Sequence, residues 1–146
     1  NWGHKKEHLY RAILESVAYD FNISLSYISK LFPEFNIEKI LVIGGGANSG
    51  VWNQIKSDVM GITYRRIEGY QFALRGSGII AGYGVGAIKD IEKTSLNMDA
   101  RKSMTKYIPN KENTEAYRGY NKIYRDLYKN TLKKTFDLLS NQLCIE

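Results

Sequence analysis

The stretch that most constrains this chain is Leu41-Val42-Ile43-Gly44-Gly45-Gly46-Ala47-Asn48-Ser49-Gly50, an apolar run ending in three glycines just before a helical pattern begins. Ile40 to Ile43 is a short continuous segment of β-branched and leucine residues, which predicts a strand buried on both faces of an α/β sheet. The glycines strip the next three positions of side chains. Backbone there is free to take positive φ and to approach a ligand closely, and Asn48 or Ser49 can cap a helix expected from Val51 to Met60. Strand, bare turn and helix N-terminus form a ligand cradle of the nucleotide-contacting kind. The same cluster serves equally as a tight connection between helix and sheet, and spacing alone does not separate the two.

Neither common nucleotide motif fits well. Counted from Gly44, Gly-x-Gly-x-x-Gly would need glycine at Ser49; counted from Gly45 it reaches Gly50, but the acid expected about 20 residues on is met only loosely by Glu68. A phosphate loop would need Gly-Lys-Ser/Thr, which the turn lacks.

The 146 residues are one domain's worth of chain. The chain begins at Asn1 rather than methionine, so a piece of something longer is expected. It shows no apolar run near the roughly 18 residues of a membrane helix and no signal-peptide pattern, and its lone Cys144 fits a reducing cytoplasm. No membrane partner is expected. The net charge of +6 is spread among interleaved acids, which points to a solvated surface and away from nucleic acid. His4 and His8 lack a third ligand of fitting spacing and read as surface or helix-start residues, so no metal-binding residue is expected in this chain.

From Lys5 to Leu31 the pattern predicts one long helix whose stripe Leu9, Ile13, Val17, Phe21, Leu25 and Ile28 faces a core. After the glycine turn, Trp52, Ile55, Val59 and Met60 give the second helix its apolar side, Gly61 ends it, and a strand is expected from Ile62 to Ile67. Phe72 to Ile88 reads as a helix rich in glycine and alanine, which calls for close approach to a neighbouring backbone. Asp90 to Lys111 reads as a connection. Asn113 to Leu139 then forms a second long helix, with Tyr117, Tyr120, Tyr124, Tyr128, Leu132, Phe136 and Leu139 on one packing stripe.

Three segments carry a family resemblance: Gly3-His4 through His8-Leu9-Tyr10-Arg11 to Val17-Ala18; Ile43-Gly44-Gly45-Gly46-Ala47-Asn48-Ser49 with Trp52, Gln54, Ile55, Asp58, Val59 and Gly61; and the small-residue helix through Ala73, Gly76 and Ser77 to Gly82-Tyr83-Gly84-Val85-Gly86. In these the chain resembles the C-terminal part of the FGGY carbohydrate kinases, most closely those of the xylulokinase type. Gln71, Leu74 and Arg75 depart from the family's usual glutamate, alanine and leucine.

The resemblance implies an α/β fold, the C-terminal half of a ribonuclease H-like (actin-like ATPase) domain in which long helices pack a mixed sheet. Residues 1–146 would be the later half of the C-terminal domain, with the N-terminal domain absent. The parent would be a cytoplasmic kinase that uses ATP and Mg²⁺ to phosphorylate a pentulose hydroxyl, and a homodimer stays open. Gly44, Gly45, Gly46, Ala47, Asn48 and Ser49 would form the adenosine-binding wall. No catalytic residue is expected in this chain, and Asp20, Asp58 and Asp90 are not cast as the base; Asp58 is expected to be exposed or to serve a helix cap. Rival readings are a kinase for gluconate, ribulose, fuculose or glycerol, and a non-catalytic actin-like nucleotide-binding domain. A dehydrogenase is more remote.

Overall fold

The computed structural model describes residues 3–68, 72–99 and 103–143. Helix α1 (Lys6–Leu31) leads to strand β1 (Lys39–Val42), a single 3-10 turn (Gly45–Asn48) and helix α2 (Gly50–Met60). Strand β2 (Thr63–Ile67), helices α3 (Phe72–Gly84) and α4 (Ile91–Asp99) and strand β3 (Met104–Tyr107) follow, then helix α5 (Lys111–Leu127), a π-helical turn (Tyr128–Leu132) and helix α6 (Lys133–Leu143). The sheet runs β1-β2-β3, with β1 parallel to β2 and β3 antiparallel to it. Among the described residues no helix is long and apolar enough to cross a membrane.

Two devices fix α2 between the other layers. Gly61 closes it in the left-handed conformation at φ +67°, and its N–H donates to the Ser57 carbonyl. The fully buried Ser57 hydroxyl lies 2.8 Å from the Ile62 carbonyl and 2.9 Å from that of Tyr107, so it ties the helix to the residue that leads into β2 and to the end of β3. The core is small: Ala18 and Tyr19 of α1, Ile55 and Val59 of α2 and Tyr117 of α5, flanked by Leu14 and Tyr124. Tyr19 meets the rings of Tyr117 and Tyr124 at centroid distances of 6.2 and 5.3 Å.

Several expectations need correcting. The buried face of α1 carries Ala18, Tyr19 and Ile23, while Leu9, Ile13, Phe21 and Ile28 of the expected stripe are exposed. The helix is apolar on more than one side, and α2 and α5 cover only one of them. β1 is not buried on both faces: Leu41 is 56% exposed. The connection expected over 90–111 contains α4 and β3. The small-residue helix ends at Gly84, and among the described residues it shows no close backbone approach: a β-carbon would meet nothing within 4 Å at Gly76, Gly78 or Gly84, and only the Ile88 side chain at Gly82. The tyrosine stripe packs at Tyr117 and Tyr124, but Tyr120, Tyr128, Phe136 and Leu139 are exposed.

Asp58, expected to be exposed or to serve a cap, is 3% exposed. Its carboxylate accepts from Gln54 Nε2 at 2.8 Å, the Asn110 backbone N–H at 2.8 Å and Asn113 Nδ2 at 2.9 Å. Asn110 is the N-cap of α5, so the buried acid holds the residue that starts that helix.

Candidate nucleotide-binding turn

Parallel pairing of β1 with β2 places their C-terminal ends side by side, with Val42 level with Arg66. The chain leaves β1 through Gly44 at φ +91° and ψ −178°, a region that is essentially reserved for glycine. It then folds into the 3-10 turn, where the Ala47 N–H donates to the Gly44 carbonyl at 3.1 Å. Ser49 caps α2, its hydroxyl accepting from the Trp52 N–H at 3.3 Å. Ala47 is buried, while Gly44, Gly45, Gly46, Asn48 and Ser49 are exposed.

Gly45 and Gly46 meet different surroundings. A β-carbon on Gly45 would find nothing within 4 Å among the described residues, so bare backbone faces open space there. One on Gly46 would stand 2.9 Å from Cζ3 of Trp52. That indole is itself fixed, because its Nε1–H donates to the Leu14 carbonyl of α1 at 3.1 Å. Gly46 thus lets the turn sit against the ring that joins α1 to α2.

Two residues outside the expected set hold the turn. Asn53, fully buried, donates from Nδ2 to the Ala47 carbonyl at 2.7 Å, while its Oδ1 has no hydrogen-bond partner among the described residues. Arg66 donates from Nη2 to Oδ1 of Asn48 at 2.8 Å, occupying the oxygen that the expected cradle leaves for a ligand. Arg66 lies near the C-terminal end of β2, and it is strand pairing, not a local sequence pattern, that sets it level with the end of β1. Nothing in the local pattern marks Asn53. Glu68, the loose match to a ribose-binding acid, accepts from the hydroxyls of Ser103 and Thr105 at 2.7 and 2.9 Å, and these bonds lower its pKa. It is a clasp between the end of β2 and β3.

Gly45 presents open backbone, Ser49 and Asn48 stand at the rim, and the Arg66 guanidinium lies behind Asn48. Among the described residues no three His, Cys, Asp or Glu side chains gather into a group that could hold a metal ion. His4 and His8 are exposed, and His8 Nδ1 accepts from the Lys5 backbone N–H at the start of α1. Arg75 lies with its guanidinium 5.3 Å from the centre of the Phe72 ring, whereas Gln71 lies outside the described residues.

Comparison with known proteins places this geometry. The model of the FGGY family of carbohydrate kinases, C-terminal domain, matches residues 2–85, more than half of the chain. Xylulose kinase of Staphylococcus epidermidis is 32% identical over 140 residues, which are 94% of this chain and 27% of that protein. Autoinducer-2 kinase of Enterobacter sp. strain 638 is 32% identical over 127 residues, 87% of this chain and 23% of that protein. The crystal structure of xylulose kinase from Rhodospirillum rubrum superposes with a TM-score of 0.70 at 23% identity, over 94% of this chain and 27% of that one. The mixed sheet and long helices here therefore share the fold of the corresponding part of that structure. On the extent of the family match and the identity of these relatives, the chain belongs to the FGGY family of carbohydrate kinases.

Proposed function

We propose that this chain is the later half of the C-terminal domain of an ATP-dependent cytoplasmic sugar kinase whose N-terminal domain lies outside these residues. The parent transfers the γ-phosphoryl group of ATP to a hydroxyl of a pentulose, with xylulose as the first candidate. The observation that carries this reading is the strand, glycine turn and capped helix from Lys39 to Met60, inside a segment that matches the FGGY family. Gly44, Gly45, Gly46, Ala47, Asn48 and Ser49 form the adenosine wall. Gly45 lets the base approach backbone, Ser49 and Asn48 border it, and Arg66 and Asn53 keep the turn in shape.

This wall contributes positioning and leaves the bond-making to groups elsewhere in the parent. Phosphoryl transfer depends on alignment and charge stabilisation, so a rigid seat for the adenosine end fixes where the far phosphate can lie. Mg²⁺ would neutralise charge on the phosphates when bound, and its protein ligands would come from outside the described residues.

A second reading changes only the sugar. The autoinducer-2 kinase is as identical to this chain as the xylulose kinase is, and this chain spans 27% and 23% of those two proteins. Coupled ADP-release assays of the full-length parent against xylulose, ribulose, fuculose, gluconate, glycerol and the autoinducer-2 sugar test the choice. Xylulose is expected to give the highest kcat/KM. Another winning sugar would replace it, and no sugar-dependent ADP release with any of them would overturn the kinase reading.

A further inference from the structure

At the far end of α2 from the glycine turn lies a groove of about 480 Å³. The helix between them has 11 residues, about 16 Å at ~1.5 Å a residue. The end of α2 forms one wall and Asn22 of α1 a second, while α5 supplies a third that includes Arg118, Lys122 and Arg125. No Asp or Glu lines the groove among the described residues. Positions i, i+4 and i+7 fall on one helix face, so the three cations form a stripe. Like charges at these spacings repel, in contrast to the Arg11–Glu15 pair that α1 carries at i,i+4. Arg118 pairs at 2.7 Å with Glu115, which is not a wall residue. The side chains of Lys122 and Arg125 have no hydrogen bond or ion pair among the described residues.

Cations beside a helix C-terminus ordinarily serve its last carbonyls. Here other groups serve two of the last four. The Gly61 N–H donates to the Ser57 carbonyl at 2.8 Å, and Asn121 Nδ2 donates to that of Val59 at 3.1 Å. Asn121 Oδ1 in turn accepts from Asn22 Nδ2 at 2.9 Å, so a fixed pair of amides links α1, α5 and α2 at the groove. Oδ1 of Asn22 joins no hydrogen bond among the described residues.

We propose that this groove is a binding site for a small phosphate ester, separate from the nucleotide turn. Three cations match the charge and the three terminal oxygens of a phosphate dianion, and two of them are arginines, whose planar forks pair with phosphate oxygens. A single carboxylate would leave part of the stripe unanswered. The volume lies within the ~300–1,000 Å³ of small-molecule sites and leaves room beyond the phosphate for a hydroxylated body against Asn22 and Asn121.

The test is isothermal titration calorimetry of the full-length parent at fixed ionic strength, with ribose 5-phosphate as the probe. The double variant Lys122→Gln, Arg125→Gln is expected to bind it roughly tenfold more weakly or worse, since each lost cation takes a charge-assisted bond with it. Its Tm without ligand is expected to match the parent's, because neither side chain has a partner in the fold. Lys111→Gln, on the same helix but not a wall of the groove, is expected to keep full affinity. Absence of binding to the parent overturns the proposal, and so does equal affinity of the double variant, which would put the phosphate elsewhere. An equal loss in Lys111→Gln also overturns it, because net charge alone would then explain the binding. Inorganic phosphate that binds as tightly as the ester supports the site and assigns it to the free ion. A poly-glutamate peptide that binds where neither phosphate does overturns it and marks a surface for an acidic protein. The titration involves no turnover, so failure of the sugar panel bears on the kinase reading alone.

Discussion

At Gly44, Gly45 and Gly46 the same residue type meets three physical demands: a φ of +91°, open space, and an indole carbon 2.9 Å from where a β-carbon would stand. Only Gly45 isolates contact with a ligand from the stability of the turn. In the full-length parent, Gly45→Val is expected to raise KM for ATP roughly tenfold, about 1.4 kcal/mol of binding, and to leave KM for the sugar unchanged. Steady-state kinetics with each substrate varied in turn would show it, and an unchanged KM for ATP would remove Gly45 from the adenosine wall. Gly46→Val would instead strain the Trp52 packing, so a loss of ATP affinity there would mix fold with site. The glycines, Asn48 and Ser49 were legible as a set from spacing and capping rules. Arg66 and Asn53 were not, because they act on the turn from another strand and from inside the helix.

Among the elements, α5 shows how one buried acid organises a helix start. Asn110 accepts from the Asn113 N–H at 3.0 Å while its own N–H is held by Asp58, so the cap is anchored to α2. Asn110→Ala is expected to destabilise the full-length parent by about 1 kcal/mol, seen as a lower urea midpoint with an unchanged slope. No change in midpoint would show that Asp58 alone sets the helix start. Periodicity placed α1, α2 and β2 within a residue or so of their observed ends. It missed α4 and β3 because each is short: nine residues of Ile91–Asp99 hold only three apolar side chains, and four residues of Met104–Tyr107 give alternation too little length to stand out. It also ran the last helix straight through Tyr128–Leu132, where the backbone widens into a π turn that side-chain spacing does not announce.

On the scale of the whole molecule, the described residues form a three-stranded sheet with helices packed against it. Apolar side chains of α1 and β1, Leu9, Ile13 and Leu41 among them, lie exposed, and Phe136, Leu138 and Leu139 of α6 are exposed as well. The isolated 146-residue chain is expected to show no sugar-dependent ADP production under conditions where the full-length parent turns over. Measurable turnover by the isolated chain would mean that the reacting groups lie within it. Local sequence by itself determined the strand, the bare turn and the capped helix, because backbone sterics and hydrogen-bond capping act over a few residues. Only the tertiary structure decided which face of α1 is buried, which asparagine oxygen Arg66 occupies, and that Arg118, Lys122 and Arg125 meet the C-terminal end of α2. Those outcomes depend on which elements meet in space, and residues far apart in sequence carry no local pattern that records the meeting.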